Sequence, residues 1–336
     1  MSIAADLGES LFYMLVFPGF VFLFGYAFVA EYADRKLYAR LQNRVGPPLV
    51  QPFADFVKLL SKESIVPENA EETIFEAAPI VALAGVLTPI LYVPVWSAEA
   101  ALAFQGDLVV VLFLLTIPSF ALIFGGWHSR NAFGQIGTVR TLTQLFGYEI
   151  PFFLACLAPA VAAGTWSISG IASFVASSPL YIPVFAVGFV VALLSLQAKL
   201  ERIPFDVPEA ETELVTGALV EYSGRKLALF RLTKNIELVV GAALLSALFL
   251  GGPYPAGAIA GAAGTAGTVG IAGAILGFAV FLVKTLVIVF ALTILRAVLA
   301  RFRIEQVVSV FYLWLVPLAL AQLALVLVVG TAEVIP

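Results

Sequence analysis

The chain has 336 residues, of which 61% are hydrophobic and 12% charged, with a mean hydropathy of +1.03; that apolar share excludes an ordinary water-soluble domain. One cysteine, Cys156, and one histidine, His128, exclude a disulfide framework, a Cys/His zinc site, or an iron–sulfur cluster held by this chain alone. The formal net charge of −4 decides little, because orientation in a membrane follows where the charges lie.

About 20 mainly apolar residues cross a hydrocarbon core about 30 Å thick as a helix. Eight runs qualify: Leu11–Ala30, Ala77–Trp96, Leu108–Trp127, Leu142–Gly164, Leu180–Lys199, the short Leu238–Gly252, Gly270–Leu295 and Val307–Gly330. Asp6 and Glu9 precede the first, with no basic segment, so it reads as a retained span and not a cleaved signal peptide.

The basic residues fall on one side. Arg35, Lys36, Arg40, Arg44, Lys58 and Lys62 follow span one; Arg130 and Arg140 follow span three. Lys199, Arg202, Arg225, Lys226, Arg231 and Lys234 follow span five, and Arg296, Arg301 and Arg303 follow span seven. Only Lys284, inside span seven, is left of the 18 basic residues. This bias predicts one all-α integral membrane domain over residues 1–336, with eight transmembrane helices and both termini on the outer, non-cytoplasmic side. Its cytoplasmic loops would be 31–76, 128–141, 200–237 and 296–306.

Within the first of those loops, Leu49–Lys62 places Phe53, Phe56, Val57 and Leu60 on one helical face and Gln51, Asp55, Lys58 and Lys62 on the other. The pattern predicts an amphipathic helix on the bundle or the membrane interface, too short to span. Glu68, Glu71, Glu72 and Glu76 then give span two an acidic start, as a solvated helix start would. On the opposite side, Ser167–Ser178 predicts one short surface helix. Gly251–Gly270 is an uncharged, small-residue connector; its glycine spacing lacks the strand before it and the Lys-Ser/Thr after it that a phosphate loop needs.

Glu201–Arg231 is the densest ionisable segment, with Glu201, Asp206, Glu209, Glu211, Glu213 and Glu221 close together. So many acids cannot all be desolvated and stay charged, so the segment either faces water or lines a wet, proton-active cavity. Asp206 followed by Pro208 and Glu209 predicts a capped helix over Glu209–Val220. Glu209 and Glu213 would share one face of it, with Glu211 turned elsewhere, and two acids at that spacing relieve their repulsion by sharing a proton. A wet loop accounts for the same residues. Two ionisable groups lie at bilayer depth: Glu149, followed by Pro151, and Lys284. They read either as parts of buried ion pairs that hold helices in register or as steps of a proton path.

Several stretches resemble one family, the H subunit of respiratory complex I and the related membrane subunit of energy-converting nickel–iron hydrogenases. They are DRKLYARLQNRVGPP from Asp34, QPFADFVKLLSKE from Gln51, GGWHSRN from Gly125, VRTLTQLFGYE ending at Glu149, PFDVPEAETELVTGALVEYSGRKLALF from Pro204, and KTLVIVFALTILRAVLARFRIEQ from Lys284. The resemblance implies a subunit with no redox centre and no catalytic residue of its own, part of an ion-translocating oxidoreductase of the cell membrane. It implies a proton pathway through Asp206, Glu209, Glu211, Glu213 and Glu221 to Glu149, with Arg202, Arg296 and Arg303, and the intramembrane Lys284, as counter-charges. Asp34, Arg35, Arg44, Asp55 and Lys58 would line a chamber wall and the seam with a peripheral arm.

The implied partners are an iron–sulfur subunit, a nickel–iron or quinone-site large subunit, antiporter-like and small membrane subunits, and the bilayer, with no nucleic acid. No cofactor is expected on this chain alone, although a quinone could lie at the interface with partners. Pro47-Pro48 runs directly into LVQPFADF, where quinone-reducing members carry extra residues, and VEYSGRKLALFRL is closer to the hydrogenase type; GGWHSRN is closer to the quinone enzymes. The balance favours the hydrogenase-type branch, with a quinone-chamber subunit as the alternative. A stand-alone ion transporter is the rival from another class, but internal duplication is not apparent in the sequence.

Overall fold

A computed structural model of the chain describes residues 3–178, 181–254 and 271–334. Among these the secondary structure is entirely helical. The helices are α1 (Ile3–Leu15), α2 (Phe20–Leu41), α3 (Gln51–Ser61), α4 (Glu72–Leu87), α5 (Asp107–Leu114), α6 (Ile117–His128) and α7 (Ala132–Ala163). They continue as α8 (Ile168–Ser177), α9 (Tyr181–Lys199), α10 (Glu211–Leu214), α11 (Gly224–Leu250), α12 (Ile271–Val298), α13 (Ile304–Ser309) and α14 (Val316–Val334).

Eight helical stretches among the described residues are long and apolar enough to cross a membrane, and each overlaps one of the eight expected runs. Proline sets several of their joints, since it has no N–H and its ring crowds the carbonyl one turn back. Pro18 lies between α1 and α2, Pro118 in the first turn of α6, and Pro317 just after a π-helical turn at Val310–Leu315.

The middle of the bundle is α11. The 18-residue window that marks it as a span is 89% buried, and the helix packs against α2, α3, α4, α7, α8, α9 and α12. Buried Leu238–Phe249, almost wholly apolar, suits such a place. At Gly241 a Cβ would come within 2.5 Å of the Leu196 side chain, so α9 and α11 pack as closely as they do because that residue has none.

Some boundaries differ from the expectation. Span six begins at Gly224 and not near Leu238, so Arg225, Lys226, Arg231, Lys234 and Glu237 lie on α11 and not in a loop, and the expected loop 200–237 stops at Ser223. Span four begins at Ala132, which shrinks the expected loop 128–141 to a few residues; Asn131 caps α7 by accepting from the Phe133 N–H at 2.8 Å. In both places the apolar run ends where charge begins, whereas lysine, arginine and glutamate are themselves good helix formers and carry the helix on.

The helix expected over Glu209–Val220 is broken into the single turn of α10 and a 3₁₀ turn at Gly217–Leu219. Val215 at φ 63° and Gly217 at φ 54° take left-handed conformations that end it. Ala210, not Asp206, stands at its N-cap, and Glu209 precedes the helix, so the shared face of Glu209 and Glu213 does not form. The helix expected over 167–178 is present as α8, but Ile168, Ile171, Ala172 and Val175 are buried in the bundle. The residues 255–270 of the glycine-rich connector lie outside the described residues.

Candidate functional site: a buried chain of acids and lysines

Residues 200–223 form an acidic loop seated on α7. Gly137 of α7 and Gly217 of the loop meet backbone to backbone; a Cβ on Gly137 would lie 2.6 Å from Gly217 Cα, and one on Gly217 would lie 2.0 Å from the Pro208 carbonyl oxygen. Buried Gln144 donates to the carbonyls of Ala198 and Phe205, both at 2.8 Å, and Gln197 donates to that of Ile203 at 2.6 Å. The loop is therefore fixed to two membrane helices, which argues against the wet-loop reading of its inner residues.

From this loop ionisable groups run into the bundle. Asp206, itself buried, pairs with the more exposed Arg301. Glu209 is next, partly buried; loss of water together with the Glu201 and Asp206 carboxylates outweighs Lys234 and Arg231 and pushes it up to about 7. Glu201, 6% exposed, accepts from Lys234 Nζ at 2.5 Å. Glu237, one turn along α11 from Lys234, is 1% exposed, and its Oε1 has no hydrogen-bond partner among the described residues. It lies within electrostatic range of Lys234, Lys199, Glu201 and Glu149. Lys199 Nζ, fully buried, reaches Glu149 at 3.1 Å and lies 5.1 Å from the centre of the Tyr148 ring.

The other expected site residues divide. Glu213 is exposed and bonded to Arg140 at 2.5 Å, which holds its carboxyl below the usual value; Arg301 and Arg303 act on it in the same direction from further off. Glu221 accepts from Asn131. Glu211 opens α10, and its side chain lies outside what the structure describes.

Arg202 and Arg296 do not face the acidic loop. Both grip Asp34, at 3.2 and 3.1 Å, with Thr293 donating to the same carboxylate at 2.7 Å. Arg296 also lies over the Tyr38 ring. Their counter-charge is thus the residue expected in the chamber wall, because α12 runs beside α2. Among the described residues Lys284 meets no carboxylate: its Nζ donates to the carbonyls of Leu250, Gly252 and Tyr254 at 2.5 to 2.9 Å, closing the C-terminal end of α11. The orphan carbonyls of a helix end suit an ammonium group.

Arg35 binds Asp55 at 2.8 Å and pairs with Glu31, which also accepts from Asn235. Slight burial would raise Asp55, but hydrogen bonds from Arg35 and Gln51 and the charges of Arg35 and Lys58 win and lower it. Phe28, Glu31, Arg35, Asp55, Phe56 and Asn235 line a cavity of about 20 Å³ between α2, α3 and α11, about enough for one water. Arg44 and Lys58 are exposed, Lys58 within electrostatic reach of Asp55. His128 is the partner of Glu71, at 3.6 Å.

Residues 13–327 match the protein family described as NADH dehydrogenase. The chain belongs to that family. The H subunit of the NADH-quinone oxidoreductase of Dehalococcoides mccartyi (strain CBDB1) is 33% identical over 331 residues, covering 94% of this chain and 85% of the relative. The H subunit of the F(420)H(2) dehydrogenase of Methanosarcina mazei is 32% identical over 328 residues, covering 92% and 90%. A chain in the structure of the membrane-bound sulfane sulfur reductase, an archaeal respiratory membrane complex, superposes with a TM-score of 0.81 at 25% identity, over 96% of this chain and all of that one. As a family member this chain is a multi-pass membrane subunit of a complex I-like oxidoreductase and works as part of that complex.

Sequence reasoning missed Glu31, Lys199, Lys234, Asn235 and Glu237 as site residues. The signal was present for the last three. Lys234 and Glu237 stand at i,i+3 directly before an apolar run, and carrying the helix back to Gly224 puts them inside the span. Glu31 and Lys199 each sit at the last step of an apolar run, where a charge reads as the start of a loop.

Proposed function

We propose that this chain couples electron transfer in a docked peripheral arm to ion movement along Asp206, Glu209, Glu201, Lys234, Glu237, Lys199 and Glu149. The supporting observation is that the groups lie each with the next within hydrogen-bonding or electrostatic reach, and that from Glu201 inward acids and lysines alternate through the bundle. A charge change beside the acidic loop alters the proton affinity of Glu209, and each lysine lets the carboxylate next to it release or take a proton against desolvation. Glu213, Glu211 and Glu221 serve the mouth, and Glu149 is the exit within the membrane.

In this reading the basic side faces the cytoplasm, the eight crossings put both termini outside, and the complex lies in the cell membrane. Its partners are an iron–sulfur subunit and a large redox subunit on the basic side, with antiporter-like and small membrane subunits beside the bundle. In this reading the moving ion is a proton, because the path is built from groups that exchange protons.

A quinone is the second reading, favoured by the names of the curated relatives. In that reading the aromatic rings and N–H donors around the Glu31–Arg35 cavity form one wall of a chamber that partner subunits complete. The test is the assembled complex in sealed vesicles, with ion uptake and electron transfer measured together. Glu149→Gln and Glu237→Gln are expected to abolish uptake while electron transfer in the partners continues; uptake at the wild-type ratio in both variants overturns the proposal.

A further inference from the structure

The outer face of α3 has no role in that pathway. α3 carries two apolar stripes where the sequence predicts one: Phe56 and Leu59 turn toward α2 and α11, whereas Phe53, Val57 and Leu60 are 40 to 46% exposed. Leu49 and Val50, just before the helix, are more exposed still.

The depth of α3 says what meets this second stripe. The rings of Phe53 and Phe56 lie 5.7 Å from that of Phe28, and Phe56 lies 5.6 Å from Phe24. Phe24 and Phe28 belong to the apolar run of span one, which ends at Ala30 before Glu31. At about 1.5 Å per residue they sit roughly 9 and 3 Å inside that end, close to the depth of about 5–10 Å at which an amphipathic helix lies in the headgroup boundary. An apolar stripe held there meets acyl chains.

The charges beside it fit a phosphate-bearing headgroup. Lys58 and Lys62 are exposed, and neither forms an ion pair among the described residues. Asp55, the one acid of α3, is already engaged by Arg35 and Gln51. We infer that α3 is an interfacial anchor for anionic phospholipid, with acyl chains against Phe53, Val57 and Leu60 and the headgroup phosphate against Lys58 and Lys62. This stands whether or not the buried acids conduct protons. Since the inner stripe walls the Glu31–Arg35 cavity, the bound lipid also steadies that wall.

The test uses the assembled complex in vesicles of equal parts phosphatidylglycerol and phosphatidylcholine, with a photo-crosslinking amino acid at Val57, an exposed position whose replacement leaves the buried stripe intact. Intact-mass measurement of this chain is expected to show phospholipid adducts, with phosphatidylglycerol dominant. The anionic preference should fall about fivefold for each of Lys58→Gln and Lys62→Gln. Adducts to a partner subunit, an absence of adducts, or an anionic preference unchanged in the double variant Lys58→Gln/Lys62→Gln would each overturn the inference.

Discussion

Spans six and seven both carry charge at bilayer depth, and the structure uses it in opposite ways. On α11, Lys234 and Glu237 face other ionisable groups from α9, α7 and the acidic loop. On α12, Lys284 faces, among the described residues, backbone carbonyls. The window of α11 is 89% buried and that of span seven is 28% buried, so the first charges have protein all round them, while the second is bound, among the described residues, at a helix end. An intramembrane charge therefore marks function when its partner can also exchange a proton; a carbonyl cannot, and the same ammonium group then becomes a clasp.

The largest expected effect tests the α11 side. Glu237→Gln keeps the volume and removes the proton, and coupled ion uptake should fall about a hundredfold, the lower end of what a positioned proton donor contributes. Assembly of the complex should be normal. Uptake near wild type would make Glu237 a packing residue and erase the contrast with Lys284.

Next comes the clasp. Lys284→Met leaves three carbonyls without their charged donor, a loss of about 2–4 kcal/mol once side-chain packing is retained. Thermal unfolding of the purified complex should begin at a lower temperature, with the ratio of ions moved to electrons transferred unchanged. Lys284→Arg should rescue poorly, because a planar fork does not match three carbonyls grouped round one point. A changed ratio in a stable Lys284→Met complex would move Lys284 into the pathway.

Glu209 sharpens the comparison through pH. Its folded value of about 7 lies above the ordinary glutamate value of about 4.3, so folding disfavours its charged form. That penalty is absent below about pH 4, grows as pH rises toward 7, and is full above it. Glu209→Gln should therefore raise thermal stability relative to wild type at pH 8 and leave it nearly unchanged at pH 4. A gain of equal size at both pH values would show that the substitution acts through packing.

Much of this fold was legible because hydropathy and basic-residue placement are one-dimensional signals. Eight runs appear as eight candidate spans, and α3 and α8 lie where their patterns put them. Pairing is not one-dimensional. The family resemblance makes Arg202 and Arg296 counter-charges of the acidic loop, yet both bind Asp34, more than 150 residues away along the chain. Glu237 was lost because the run was ended where polarity began, and Val215 broke the expected acidic helix through a backbone angle that side-chain spacing does not encode.

The smallest expected effect concerns Glu213, which sequence spacing sets equal to Glu209. The two differ in surroundings: Glu209 sits among Glu201, Asp206 and Lys234, whereas Glu213 is 59% exposed and held by Arg140. An exposed pair is screened by water and salt, so neutralising one member changes the local field little. Glu213→Gln should leave coupled uptake within about twofold of wild type, since other acids at the mouth still gather protons and the inner chain is intact. The residual effect should shrink as ionic strength rises, which distinguishes a mouth residue acting through its field from a link in the chain. A loss as deep as that of Glu237→Gln, persisting at high salt, would place Glu213 within the pathway and require α10 to turn inward in the assembled complex.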